Sequence, residues 1–315
     1  MRKFIYSLII LFSTTYYGFA EIPAGAEKIE EGEYNVFMLS DAGRNGSYDQ
    51  RKIGTLMGEY AEIISPEFVI SCGDLFHYDG IQSTSDPILL SNYENIYTHG
   101  ELHCPWYGVL GNHEYKGNTQ AMMDYSDISR RWNMPSRYYT FTKQLDDDDP
   151  ESESIRFVFI DTAPLMSKYH TQEYPDAMNI DESVQLQWID SVLSVAKEKW
   201  VLVIGHHPVY SYDTKDDSES IELRSKLEPI FDRHQVDFYF CGHIHTFQHL
   251  RNETGKTDYV VNASASLQRP PLDGEYTVYN STNTGFAILT FNEGEMNYHF
   301  INSEGEVEYS IQRKK

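Results

Sequence analysis

Residues 238–245 read FYFCGHIH. The apolar run ending in Cys241 fits a buried strand. Gly242 then permits a tight turn that lets two imidazoles, His243 and His245, project beyond the strand end. Histidines so placed add little to packing and suit metal ligation. The same grammar occurs four times upstream: residues 36–43 read VFMLSDAG, 68–74 FVISCGD, 106–114 WYGVLGNHE and 201–207 VLVIGHH. Each joins an apolar run to a short polar turn with a glycine in it. Ligands of open α/β sheets gather beyond the carboxyl ends of strands. The five turns are therefore expected to bring Asp41, Asp74, Asn112, His113, His206, His243 and His245 to one sheet edge. Imidazole, carboxylate and amide oxygen suit zinc, iron and manganese, and one carboxylate can bridge two ions.

Around these turns, short apolar runs alternate with longer amphipathic ones. Strands are expected at 36–40, 68–71, 106–110, 156–160, 201–204, 238–241, 259–261, 286–291 and 296–301. Helices are expected at about 49–64, 87–97, 119–131, 182–197 and 219–234, with Asp181 starting the fourth. The alternation predicts an α/β fold with sheet buried between helices, and the helix-free end of the chain predicts a second, more antiparallel sheet. The acidic run 146–149 reads as a solvated loop between strands.

The chain has 315 residues and a formal charge of -23, which excludes nucleic acid and anionic membranes as partners. A phosphate ligand would need local positive charge, which bound metals provide. Arg2 and Lys3, an apolar stretch over 4–12, and small residues ahead of Glu21 form a signal-peptide pattern over 1–20, with cleavage after Ala20. This predicts export to the periplasm or the extracellular space, with residues 21–315 as one catalytic domain. No later segment is long and apolar enough to span a bilayer. Three cysteines cannot make a full disulfide framework, and Cys72 and Cys241 read as buried core residues.

The ordered set DAG, GDLFHY, GNHE, GHHP and GHIH resembles the calcineurin-like metallophosphoesterase superfamily. Residues 106–113 (WYGVLGNH), 125–136 (YSDISRRWNMPS) and 185–188 (QLQW) narrow the resemblance to purple acid phosphatases of the small, tartrate-resistant type. The resemblance implies a four-layer αββα sandwich of two mixed sheets flanked by helices. It also implies two metal ions, iron with iron, zinc or manganese. Asp41 and His245 would hold the first ion, Asp74 would bridge, and Asn112, His206 and His243 would hold the second. His113 would contact the phosphate and protonate the leaving alcohol after attack by hydroxide held between the metals. The family's tyrosine three residues past the bridging aspartate is His77 here, and Gly43 stands where the superfamily usually supplies a histidine. His77 is therefore expected to complete the first site, with Tyr78 pointing elsewhere. Losing the phenolate removes the anionic donor on which a strictly ferric site relies. Lys215 stands where small members carry a second substrate histidine; it and His207 are candidates for the substrate pocket.

These features predict hydrolysis of small phosphate monoesters by a monomeric enzyme. The alternatives are a phosphodiesterase using the same centre and an inactive secreted binding protein on the same scaffold.

Overall fold

A computed structural model describes residue 23 and residues 25–146, 148–214 and 216–315. The signal pattern over 1–20 and Lys215 lie outside the described residues. The strands are β1 (Tyr34–Leu39), β2 (Phe68–Ser71), β3 (Trp106–Gly108), β4 (Trp132–Asn133), β5 (Tyr139–Gln144), β6 (Ser154–Phe159), β7 (Trp200–Ile204), β8 (Phe238–Cys241), β9 (Phe247–Arg251), β10 (Asp258–Val261), β11 (Thr277–Ser281), β12 (Gly285–Asn292), β13 (Glu295–Asn302) and β14 (Val307–Lys314). The longer helices are α1 (Gln50–Ala61), α2 (Thr119–Asp124), α3 (Glu182–Ser194) and α4 (Ser218–His234).

The strands form two seven-stranded mixed sheets, ordered β14-β13-β12-β1-β2-β3-β4 and β11-β9-β10-β8-β7-β6-β5. In the first, β1 to β4 run parallel while β12 to β14 add an antiparallel meander beside β1. In the second, β6, β7, β8 and β10 are parallel, with antiparallel strands at both flanks. The central parallel strands β1, β2, β7 and β8 are buried along their whole length and largely apolar because both of their faces are covered.

Aromatic rings fill the space between the sheets. Phe68 of β2 packs edge-on against Phe157 of β6 and Phe141 of β5, and Phe300 of β13 stacks on Phe247 of β9. The outer faces take helices: Tyr60 of α1 meets Phe286 of β12, and Phe231 of α4 meets Tyr239 of β8. This is the expected αββα sandwich. The five polar turns correct one part of the sequence reading. Asp41, Asp74 and Asn112 follow strands of the first sheet, and His206 and His243 follow strands of the second. The turns thus come from two sheet edges rather than one. A parallel bridge from Ser40 to Ser264 joins the sheets there, reinforced by the Ala265 N–H donating to the Ser40 carbonyl at 2.8 Å.

Two expected helices are shorter. The segment 87–97 has a wide π-type turn at Leu90–Glu94, which seats Tyr93 among Trp106, Trp132 and Tyr97. The segment 119–131 leaves the α-helix at Asp124 and closes with a tight turn. There the Ser126 and Ser129 hydroxyls accept from the Met134 and Trp132 N–H groups, offering the backbone partners outside a helix.

Candidate metal centre

The donors leave the sheets through strained backbone. Asp41, Asp74, His243 and His245 all have positive φ, at 50°, 54°, 73° and 59°. Non-glycine residues adopt this region at a cost, and such outliers cluster at functional sites. Two glycines make the crowding possible. A Cβ on Gly242 would run into Ser40 and Asp41, and one on Gly111 into the Asp74 carboxylate.

Asp41, His77 and His245 bring ligand atoms within 4.8 Å of one another. Asp41 Oδ2 accepts from the Ser40 hydroxyl at 2.6 Å and from His243 N–H at 2.9 Å, while Oδ1 is buried with no hydrogen-bond partner and lies 3.4 Å from His245 Nε2. The His245 Nδ1–H donates to the Leu267 carbonyl at 2.7 Å, leaving Nε2 as the inward lone pair. Both His77 nitrogens are buried without a hydrogen-bond partner, and Nε2 lies 3.4 Å from Asp74 Oδ2. Burial pushes the His77 imidazole down to about 3, so its lone pair stays on offer.

On the other side of Asp74, His206 Nε2 lies 3.3 Å from Asp74 Oδ2 and 3.3 Å from Asn112 Oδ1, with its Nδ1–H donating to the Cys72 carbonyl at 2.8 Å. His243 Nδ1 lies 2.9 Å from the same Asn112 oxygen, and its Nε2–H faces Glu219 Oε2 at 3.2 Å. Burial alone would neutralise Asp74, but His206 and His77 hold its carboxyl well below the usual carboxylate range. Asp74 is thus the anion common to both halves.

His113 sits at the opening, its Nδ1–H donating to the Tyr78 carbonyl at 2.5 Å and its Nε2 4.0 Å from Asp74 Oδ2. The turns that carry Asp74 and His113 are stitched together by buried Glu114, whose carboxylate accepts from the N–H groups of Asp74 (2.9 Å), Phe76 (3.0 Å) and Gly111 (2.7 Å). A cavity of about 280 Å³ above Asp74 is lined by Asn112, His113, His243, His245, Tyr78, Arg44, Leu267 and Arg269.

Residues 35–247 match the calcineurin-like phosphoesterase family. The chain is 30% identical to the rabbit (Oryctolagus cuniculus) tartrate-resistant acid phosphatase type 5, over 79% of this chain and 80% of that protein. It is 28% identical to purple acid phosphatase 3 of Arabidopsis thaliana, over 96% of this chain and 84% of that one. The chain belongs to the calcineurin-like phosphoesterases, in their purple acid phosphatase branch. Among solved structures, GAP50, described as the anchor in the inner membrane complex of Plasmodium, shares the fold with a TM-score of 0.75. It is 22% identical and covers 89% of this chain and 88% of its own.

The purple acid phosphatase branch implies a dinuclear metal centre, and the donors of this chain fit one. Buried carboxylate and imidazole atoms without hydrogen-bond partners are costly unless a cation answers them, and Asp41 Oδ1 and both His77 nitrogens are such atoms. The nitrogen and oxygen donor set suits zinc, iron or manganese.

Several sequence expectations change. His207 is fully buried behind His243 and does not line the cavity; the Thr162 hydroxyl and Tyr169 hydroxyl hold its two nitrogens, each at 2.8 Å. Tyr78, expected to point elsewhere, lines the cavity while remaining exposed. Four residues at the site escaped the sequence reading: Glu114, Glu219, Arg44 and Arg269. Glu114 stands inside the GNHE motif, and Arg44 follows Asp41 by three positions. Glu219 and Arg269 have no local signature at all.

Proposed function

We propose that the chain is an exported hydrolase of phosphate monoesters whose two metal ions lie between Asp41, His77 and His245 on one side and Asn112, His206 and His243 on the other, with Asp74 shared. Iron with iron, zinc or manganese is the pair this donor set favours. The observation that carries the reading is the convergence on Asp74 Oδ2 of His77 at 3.4 Å and His206 at 3.3 Å, one from each half of the donor set. When bound, the metal pair supplies Lewis-acid binding of the phosphate and activation of water at neutral pH.

The remaining work falls to the chain's own residues. The Tyr78 carbonyl fixes the His113 ring with Nδ1–H outward from the cavity, so the proton in play is on Nε2. To act as the acid His113 must enter the reaction doubly protonated, with Nε2 placed 4.0 Å from the Asp74 carboxylate. From there Nε2–H can contact a phosphate oxygen and pass its proton to the departing alkoxide, which makes the alcohol a workable leaving group. Glu114 keeps the Asp74 and His113 turns in fixed relation.

Residues 21–315 are read as one catalytic domain, monomeric and freed by cleavage after Ala20; mass spectrometry of the exported protein should find Glu21 first. Rates on 4-nitrophenyl phosphate and bis(4-nitrophenyl) phosphate test the chemistry. A preference for the monoester is expected; a preference for the diester would select the phosphodiesterase reading. An inactive secreted binding protein on this scaffold would show no hydrolysis of either ester by metal-replete protein.

A further inference from the structure

The cavity over Asp74 has a second feature that the metal donors do not use. Arg44 and Arg269 both line it, on the side of His77 and His245. Arg44 is only 7% exposed, its Nε is buried with no hydrogen-bond partner, and its guanidinium lies 4.9 Å from the centre of the Tyr78 ring. Arg269 is exposed, and its loop is fixed by the Arg269 N–H donating to the His245 carbonyl at 2.8 Å. Neither guanidinium has an acidic partner among the described residues. That is notable in a chain with 48 acidic residues against 25 Lys and Arg, where a partner is easily found. A guanidinium held this deep without a counter-ion is costly unless an anion arrives. The donor set deepens the imbalance. Asp41 and Asp74 are its only carboxylates, set against neutral imidazoles and one amide, so two divalent cations would already leave the cavity positive.

We propose that Arg44 and Arg269 form an anion subsite that holds a second phosphate group of the substrate, one linkage beyond the phosphate being cleaved. The proposal rests on the phosphatase reading above. Guanidinium forks match phosphate oxygens, and Tyr78 pre-orients the Arg44 fork by stacking. In pyrophosphate the terminal phosphorus gains a P–O bond to water while its bond to the bridging oxygen breaks. The departing phosphate keeps the electron pair, takes a proton from His113 and rests against the arginines.

The test uses full-length metal-replete protein and the variants Arg44→Gln, Arg44→Lys and Arg269→Gln. Steady-state kcat/KM is measured for pyrophosphate, ADP and 4-nitrophenyl phosphate, and calorimetry gives the affinity for imidodiphosphate and for inorganic phosphate. In Arg44→Gln the ratio of pyrophosphate to nitrophenyl phosphate kcat/KM should fall about tenfold to a hundredfold, as for loss of a hydrogen bond to a charged group. Imidodiphosphate affinity should fall by a similar factor and phosphate affinity by less. Arg44→Lys should recover only part, because it keeps the charge and loses the fork. Arg269→Gln, at an exposed position, supplies the same comparison if Arg44→Gln does not fold. Equal losses for ADP and pyrophosphate support a subsite open to nucleotides; a loss for pyrophosphate alone supports one that takes only the inorganic anion. Ratios and imidodiphosphate affinity within twofold of wild type in both glutamine variants overturn the proposal. If the wild type hydrolyses no phosphoester, the phosphatase reading fails instead, and the imidodiphosphate arm still decides the subsite.

Discussion

The division of labour between the two nitrogens of each histidine is the finest detail on which the site depends. In His245, His206 and His113 a backbone carbonyl takes the proton of one nitrogen and aims the other inward. His243 differs, because its outer partner is a carboxylate, Glu219, which Tyr169 and Lys168 steady at 2.7 and 2.8 Å. Glu219→Gln should therefore weaken metal binding at the second site about tenfold to a hundredfold, the usual cost of losing a carboxylate behind a metal-binding histidine. Equilibrium dialysis against zinc checks this. His113 packs against the donors Asp74 and His77 (ring centroids 4.0 Å apart for the latter) but is not itself counted among the donors, so His113→Ala should lower turnover by about 10²–10⁴-fold while elemental analysis finds the metals retained. Asp41, Asp74, Asn112, His206, His243 and His245 were legible as candidate donors because each follows an apolar run at a strand end. Glu219 was not. It reaches His243 from the first turn of α4, and only the packing of that helix against the second sheet brings the two together.

At the level of elements, the turns matter more than the strands they terminate. The strand β2 and the core of β8 coincide with the apolar runs that predicted them, but β5, β9, β11 and β14 did not declare themselves. β5, β11 and β14 carry Lys, Gln, Asn, Ser and Glu because one face or one edge meets solvent, and a half-polar strand resembles a loop, whereas β9 hides because buried Gln248 and His249 interrupt its apolar run. Their junctions are held by side chains. Glu198, ahead of β7, receives both arms of Arg156 from β6 at 2.6 and 2.8 Å and the Thr142 hydroxyl of β5 at 2.9 Å. Burial disfavours its charge, but Arg156 outweighs this and brings the carboxyl from an ordinary 4.5 to about 2. A carboxyl depressed in the folded state stabilises fully above its unfolded pKa, and that stability is lost as the pH falls through the folded value. Glu198→Gln should therefore be less stable than wild type above about pH 5, with the gap narrowing toward pH 2. Thermal melts at pH 6 and pH 3 measure it; a gap that does not narrow would mean the Arg156 pair contributes nothing through charge.

Across the whole molecule, the two sheets are joined in two chemically distinct ways. Through the middle they share an aromatic core, from Phe68 against Phe157 to Phe247 against Phe300. At the carboxyl edge they meet through buried polar donors: Asp41 and Asp74 from the first sheet, His206, His243 and His245 from the second. The sequence shows that these turns belong together, yet it cannot show that they sit on facing sheets, because that depends on crossovers spanning most of the chain. A cation pair at this edge would join the sheets, so the same ions would serve both reaction and architecture. The most direct test is metal stoichiometry measured against activity. Metal-free protein is titrated with zinc or iron, and bound metal and 4-nitrophenyl phosphate hydrolysis are read on the same samples. The expected result is saturation at about two ions per chain, with hydrolysis rising as the second binds and disappearing on chelation. Full hydrolysis by protein holding no metal, or saturation at a single ion with full activity, would contradict it.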